Sequence, residues 1–113
     1  MYYTSRLASN HNKRCIGVAT SPAPETAFTP SGTEPIACPP GDGTAIDPNG
    51  WLDTSDNGKP YLLYRLRDPH DRIMLQQLYS DGLSKDSSPP IELIHVDPSD
   101  GKSRPPPTPL PPL

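Results

Sequence analysis

The stretch that decides the fold reads Ala45-Ile46-Asp47-Pro48-Asn49-Gly50-Trp51-Leu52-Asp53. After a short polar turn it continues as Asp56-Asn57-Gly58-Lys59-Pro60-Tyr61-Leu62-Leu63-Tyr64. Two β-forming runs flank Asn57-Gly58, a pair that tolerates positive φ and closes tight hairpins. Working outward, Asp42-Gly43, Asn49-Gly50, Asp81-Gly82 and Asp100-Gly101 supply further turn signals. Between the turns lie Tyr2-Tyr3-Thr4, Cys15 to Thr20, Tyr61 to Leu66 and Ile91 to Val96, all short and β-like. Ile73 to Tyr79 is ambiguous, because its Met, Leu and Gln suit a helix equally well. No window sustains the 3.6-residue apolar period of an amphipathic helix, and prolines break most candidates. The expected fold class is all-β.

Four strands can be counted from Ile46 to Val96: Ile46 to Leu52, Tyr61 to Leu66, Ile73 to Tyr79 and Ile91 to Val96. Four antiparallel strands in about 50 residues is the size of one propeller blade. The chain therefore divides into residues 1–40, the outer strands of one blade, and residues 41–100, one four-stranded blade. Residues 101–113 form a proline-rich tail. From Arg104 to Leu113 the tail is expected to stay out of any sheet ladder, since proline has no N–H to donate. It is read as polyproline II or disordered. Hydrophobic residues make up only 32% of the chain, against eighteen prolines and eight glycines, so the core should be small.

A formal charge of −3 gives no basic footprint for nucleic acid. The cations are scattered, apart from Arg65 and Arg67 among turn-forming acids. No run reaches the length of a membrane span. Met1 to Arg6 is followed by no apolar signal-peptide region, so the chain taken as complete is expected in the cytoplasm. Cys15 and Cys38 are either two buried thiols or a disulfide. As a disulfide they close a loop worth roughly 3 kcal/mol and require an oxidising compartment. No histidine stands at zinc-ligand spacing from either, and no metal or cofactor is expected. The acidic turn Asp53 to Asp56 lacks the ligand count of a calcium loop and reads as a hairpin. His11, His70 and His95 have no serine or cysteine partner in a nucleophile motif. His70 reads as a solvated turn residue, and His95 as a strand residue with an ordinary hydrogen bond.

The Ile46-Asp47-Pro48 to Tyr64 block resembles glycoside hydrolase family 43, where a strand reading I-D-P-x-x-F-x-D precedes a D-G-K turn and a Y-L-x-W or Y-L-x-Y strand. Tyr2-Tyr3-Thr4-Ser5 is similar to that family's Y-Y-S strand. Arg14-Cys15-Ile16-Gly17-Val18-Ala19-Thr20-Ser21 is similar to its C-I-G-x-A-T-S strand. Pro35 to Pro39 and Ile73-Met74-Leu75-Gln76 follow in the family's order. The resemblance covers about Tyr2 to Asp100. It implies a fragment of a five-bladed β-propeller, about one and a half blades. It also implies an inverting glycosidase for arabinose- or xylose-containing polysaccharides, and an extracellular setting.

Such a glycosidase uses three acidic residues. One must be protonated to release the leaving oxygen, while another must be ionised to activate water on the opposite face. A third nearby charge keeps the acid's pKa high enough to hold its proton. By resemblance Asp47 is this third, pKa-modulating aspartate. Pro48 should bias it to an extended backbone, although Asp47-Pro48-Asn49-Gly50 taken alone reads as a turn. Trp51 sits where the family has an aromatic packed between blades, the preferred reading; an exposed indole there can also stack on a sugar ring. The family's general base lies on an earlier blade than this sequence contains. Its general acid falls in an E-A-P or E-G-P motif in the register of Gly101 to Leu113, which holds no acidic residue. Glu92 has no such context. The resemblance therefore implies a truncated chain, inactive by itself.

The tail raises a different class of function, a non-enzymatic and largely disordered interaction protein. Pro106 with Pro109, and Pro109 with Pro112, give the P-x-x-P spacing of SH3 or WW ligands. Arg104 does not stand where it would orient either pair, so an adaptor partner is not expected.

Overall fold

A computed structural model describes residues 1–97 and 99–105. Pro98 and residues 106–113, which include both P-x-x-P pairs, lie outside the described residues. The described residues form eight strands and no helix. The strands are β1 (Tyr2–Leu7), β2 (Asn10–Thr20), β3 (Thr29–Pro30), β4 (Thr44–Asp53), β5 (Lys59–Arg67), β6 (Asp71–Gln77), β7 (Ile91–Val96) and β8 (Ser103–Arg104). Every pairing is antiparallel. One sheet has the order β1-β2-β3 and the other β4-β5-β6-β7-β8. The chain is thus all-β, with two antiparallel sheets built in sequence order, consistent with a fragment of a β-propeller.

The ambiguous Ile73 to Tyr79 run is a strand. Its alternation decides the matter: Met74 and Gln76 are buried while Ile73 is exposed. The period of two suits a sheet with one face on the core. Leu62 and Tyr64 on β5 point the same way, and they pair with Gln76 and Met74. Together with Ala45 and Leu78 they meet Ile16, Val18, Ile36 and Ala37 from the first sheet in a single core cluster. Ile16 and Leu62 are completely buried, each worth about 1.5–3 kcal/mol relative to exposure. Buried Gln76 stays satisfied through its amide, which donates to the Gln77 and Ser88 carbonyls.

The connection to β4 is fastened to β2 at several points. Cys15 and Cys38 are joined by a disulfide. The Ile36 amide donates to the Ile16 carbonyl at 2.8 Å, and the Ile16 amide donates to the Ala37 carbonyl at 2.9 Å. Lys13 is only 8% exposed, yet its ammonium donates to the Gly41 carbonyl at 2.8 Å and to that of Pro39. A buried cation without such acceptors is costly.

One turn expectation fails for a packing reason, and another is shifted by a residue or two. Asn49-Gly50 lies inside β4, paired with Leu63 and Leu62. A Cβ on Gly50 would come within 2.8 Å of the Tyr2 ring, so this glycine serves the approach of Tyr2, whose hydroxyl donates to the Gly82 carbonyl at 2.7 Å. Near Asp42-Gly43 it is Gly41 that takes positive φ. Asn57-Gly58, Gly82 and Gly101 do adopt positive φ at chain reversals.

The ladder also runs past residue 100. Arg104, expected outside any sheet, pairs with His95, and Ser103 pairs with Val96. The Asp97 carboxylate organises this reversal. It accepts from the Ser99 amide at 2.9 Å, the Ser99 hydroxyl at 2.7 Å and Arg104 Nε at 2.9 Å. These bonds, the Ser99 ones foremost, hold its carboxyl at about 2. Ser103 and Arg104 precede the prolines, so both still have an N–H to offer.

Reducing the Cys15–Cys38 bond should lower unfolding stability by about 3 kcal/mol on the chain-entropy view; urea midpoints with and without reductant measure this. The folded-state pKa of Asp97 lies below its unfolded value near 3.8. Its contribution is therefore present above that value and lost as pH falls toward about 2. The stability advantage of the natural chain over Asp97→Asn should shrink steadily across that window, as followed by thermal melts at stepped pH.

Candidate functional site

Asp47 stands where β4 loses register with β5. Ile46 pairs with Arg65 and Asn49 with Leu63, leaving Asp47 and Pro48 without partners in the ladder. The backbone of Asp47 has φ +55°, not the extended conformation expected from Pro48. The bulge is the cause: the extra residue is absorbed by a left-handed turn of the chain, which aspartate tolerates better than most residues. The Asp47 amide, freed from the ladder, donates to Thr4 Oγ1 on β1 at 3.2 Å. Local turn chemistry and strand membership are thus both present at this residue. The bulge re-aims its side chain within a continuous strand.

That side chain is exposed and lines a cleft of about 420 Å3 with Leu63, Arg65, Asp71, Ile73 and His95 among its walls. Arg65 is the central cation. It pairs with Asp71, and the Asp47 charge adds a smaller stabilisation of its protonated form. Arg67 Nε also contacts Asp71, at 2.8 Å. The Arg65 hydrogen bond and then the Arg67 one hold the Asp71 carboxyl below the usual carboxylate range. Asp71 is therefore an ionised, doubly paired group at working pH, a poor proton donor.

Glu92 does not line this cleft. Its carboxylate lies 3.6 Å from Arg72 Nε and 3.4 Å from His95 Nδ1. The ordinary hydrogen bond expected of His95 is not made: among the described residues its buried Nδ1 has no hydrogen-bond partner, and Glu92 is close without the alignment for one. His11 and His70 are exposed, in or beside chain reversals. The acidic turn is a hairpin in which Asp53 accepts from the Ser55 amide and hydroxyl.

Trp51 is on the same strand as Asp47 but outside its cleft. It is 48% exposed and pairs across the ladder with Tyr61, their ring centroids 5.6 Å apart at a 39° tilt. Sequence reasoning singled out Asp47 and Trp51 but missed Arg65 and Asp71. The signal was two arginines before the β5–β6 turn and an aspartate just after it, Arg65 lying in register with Ile73, two residues beyond Asp71. Arg65 and Arg67 alternate on one face, and Asp71 pairs directly with Arg67.

The comparisons bear on the whole of this architecture. No curated protein and no solved structure gave a match to the chain. A match to the family described as "Glycosyl hydrolases family 43" spans residues 1–105, covering both sheets and the Asp47 cleft. The chain belongs to glycosyl hydrolases family 43, whose members act as glycosidases on polysaccharide substrates.

Proposed function

We propose that this chain derives from an inverting glycosidase that hydrolyses O-glycosyl bonds in arabinose- or xylose-containing polysaccharides. Asp47 is its pKa-modulating aspartate, and the 113-residue chain alone is inactive. One observation carries this reading: Asp47 is presented to solvent on a bulge, and the only other carboxylate lining its cleft among the described residues, Asp71, is held by two guanidiniums. Inversion needs an acid and a base roughly 6.5–9.5 Å apart, one protonated and one ionised. A carboxylate whose pKa is depressed by two arginines cannot hold the proton for a leaving group. Asp47 can raise the pKa of an acid brought beside it, which is the modulating role.

Trp51 lies outside the Asp47 cleft, on a part of the second sheet's face left open to solvent. In a complete propeller such a face packs on a neighbouring blade, which supports an inter-blade role for Trp51 over direct stacking on sugar. An oxidising, extracellular setting is part of the same proposal, supported by the Cys15–Cys38 disulfide.

Incubated with nitrophenyl arabinofuranoside or xyloside, the purified chain should release no nitrophenol above the buffer rate. Release that disappears in Asp47→Asn would overturn the inactivity and give the cleft a complete catalytic set.

A further inference from the structure

Three arginines, Arg6 and Arg14 from the β1–β2 hairpin and Arg67 from β5, line a second cleft of about 420 Å3, together with His11, Thr44 and Ile46. Among the described residues no carboxylate lines it. This concentration of positive charge runs against the chain's formal charge of −3. Arg6 and Arg14 face each other directly across the β1–β2 ladder, a pairing in which like charges repel and reduce stability. Among the described residues neither has an ion pair. Arg67, which also lines the cleft, gives its Nε to Asp71 at 2.8 Å; among the described residues its terminal nitrogens have no hydrogen bond. All three side chains are exposed, and like charges held in register at a modest cost to stability suit a site open to an anion.

We propose that this cleft binds an oxyanion, namely the carboxylate of a uronate residue in an acidic polysaccharide. Guanidinium forks match a carboxylate in bidentate geometry and stay charged at every physiological pH. The volume is that of a small-molecule pocket and accommodates a sugar ring as well as its charged group. Thr44 and Ile46 of β4 line this cleft while Asp47, the next residue, lines the other. The strand therefore sets an anion site beside the aspartate. The choice of a sugar carboxylate over free phosphate rests on the glycosidase reading above.

The test is affinity electrophoresis of the full chain in native gels containing polygalacturonate, neutral linear arabinan or no polymer. Thermal melts in inorganic phosphate accompany it. Polygalacturonate should retard the chain, and Arg6→Gln/Arg14→Gln should weaken that binding about tenfold or more. Lys85→Gln, an exposed cation elsewhere, should leave it unchanged. Arg14→Gln alone should raise the melting temperature without ligand, since it removes a facing like charge; lost binding is then not lost folding. No retardation by polygalacturonate, or retardation that survives the double substitution, overturns the proposal. Phosphate stabilisation that needs the same arginines and matches that of polygalacturonate overturns the sugar assignment in favour of a free oxyanion. Retardation by arabinan alone defeats this inference while leaving the glycosidase reading in place, and nitrophenol release bears only on the latter.

Discussion

The attachment of residues 36–41 to β2 is the constraint on which the rest of the molecule depends. Cys38 is bonded to Cys15, Ile36 and Ala37 share backbone hydrogen bonds with Ile16, and buried Lys13 holds the carbonyls of Pro39 and Gly41. These contacts fix where the chain leaves the first sheet, and β4 begins three residues later at Thr44. From that start the core sides of the two sheets close over Ile16 and Leu62. Thr4 comes within reach of the Asp47 amide and Tyr2 lies over Gly50. The position of Asp47 is thus set from the first sheet as much as from its own strand.

Charge arrangement then separates what the two clefts can do. Around Asp47, opposite charges are matched: Arg65 and Arg67 neutralise Asp71, leaving one carboxylate free to act on a neighbour. Around Arg6 and Arg14 the charges are alike and unmatched. The first arrangement stabilises the ladder end between β5 and β6, whereas the second strains the β1–β2 ladder. Exposed ion pairs contribute little each, so the first matters mainly for the protonation state it imposes on Asp71.

Much of the fold was legible in the sequence because its signals are local. The β-forming run Tyr61 to Leu66 and the Asn57-Gly58 reversal identify the central hairpin, and ordered strand motifs identify the family. Failures occurred where a distant contact decides the outcome. Asn49-Gly50 reads as a turn until Tyr2 is seen to need the space over Gly50. Asp47-Pro48 reads as extended until the bulge between Ile46 and Asn49 is known. Ser103 and Arg104 join the ladder only because Asp97 closes the reversal before them. The two cysteines left both states open, since spacing alone cannot say whether Cα atoms approach to bonding distance, here 4.8 Å. Of the candidate site, Asp47 was visible through its motif. Arg65, Asp71 and the Arg6–Arg14–Arg67 cleft were not, because only folding brings them together.

One core shared by both sheets positions Asp47, and amide hydrogen exchange on the oxidised and reduced chain tests this. Ile16 on β2 and Leu62 on β5 should share the highest protection, and reduction should lower both together. Loss of protection in β2 alone, with Leu62 unchanged, would contradict it and show two sheets that fold independently.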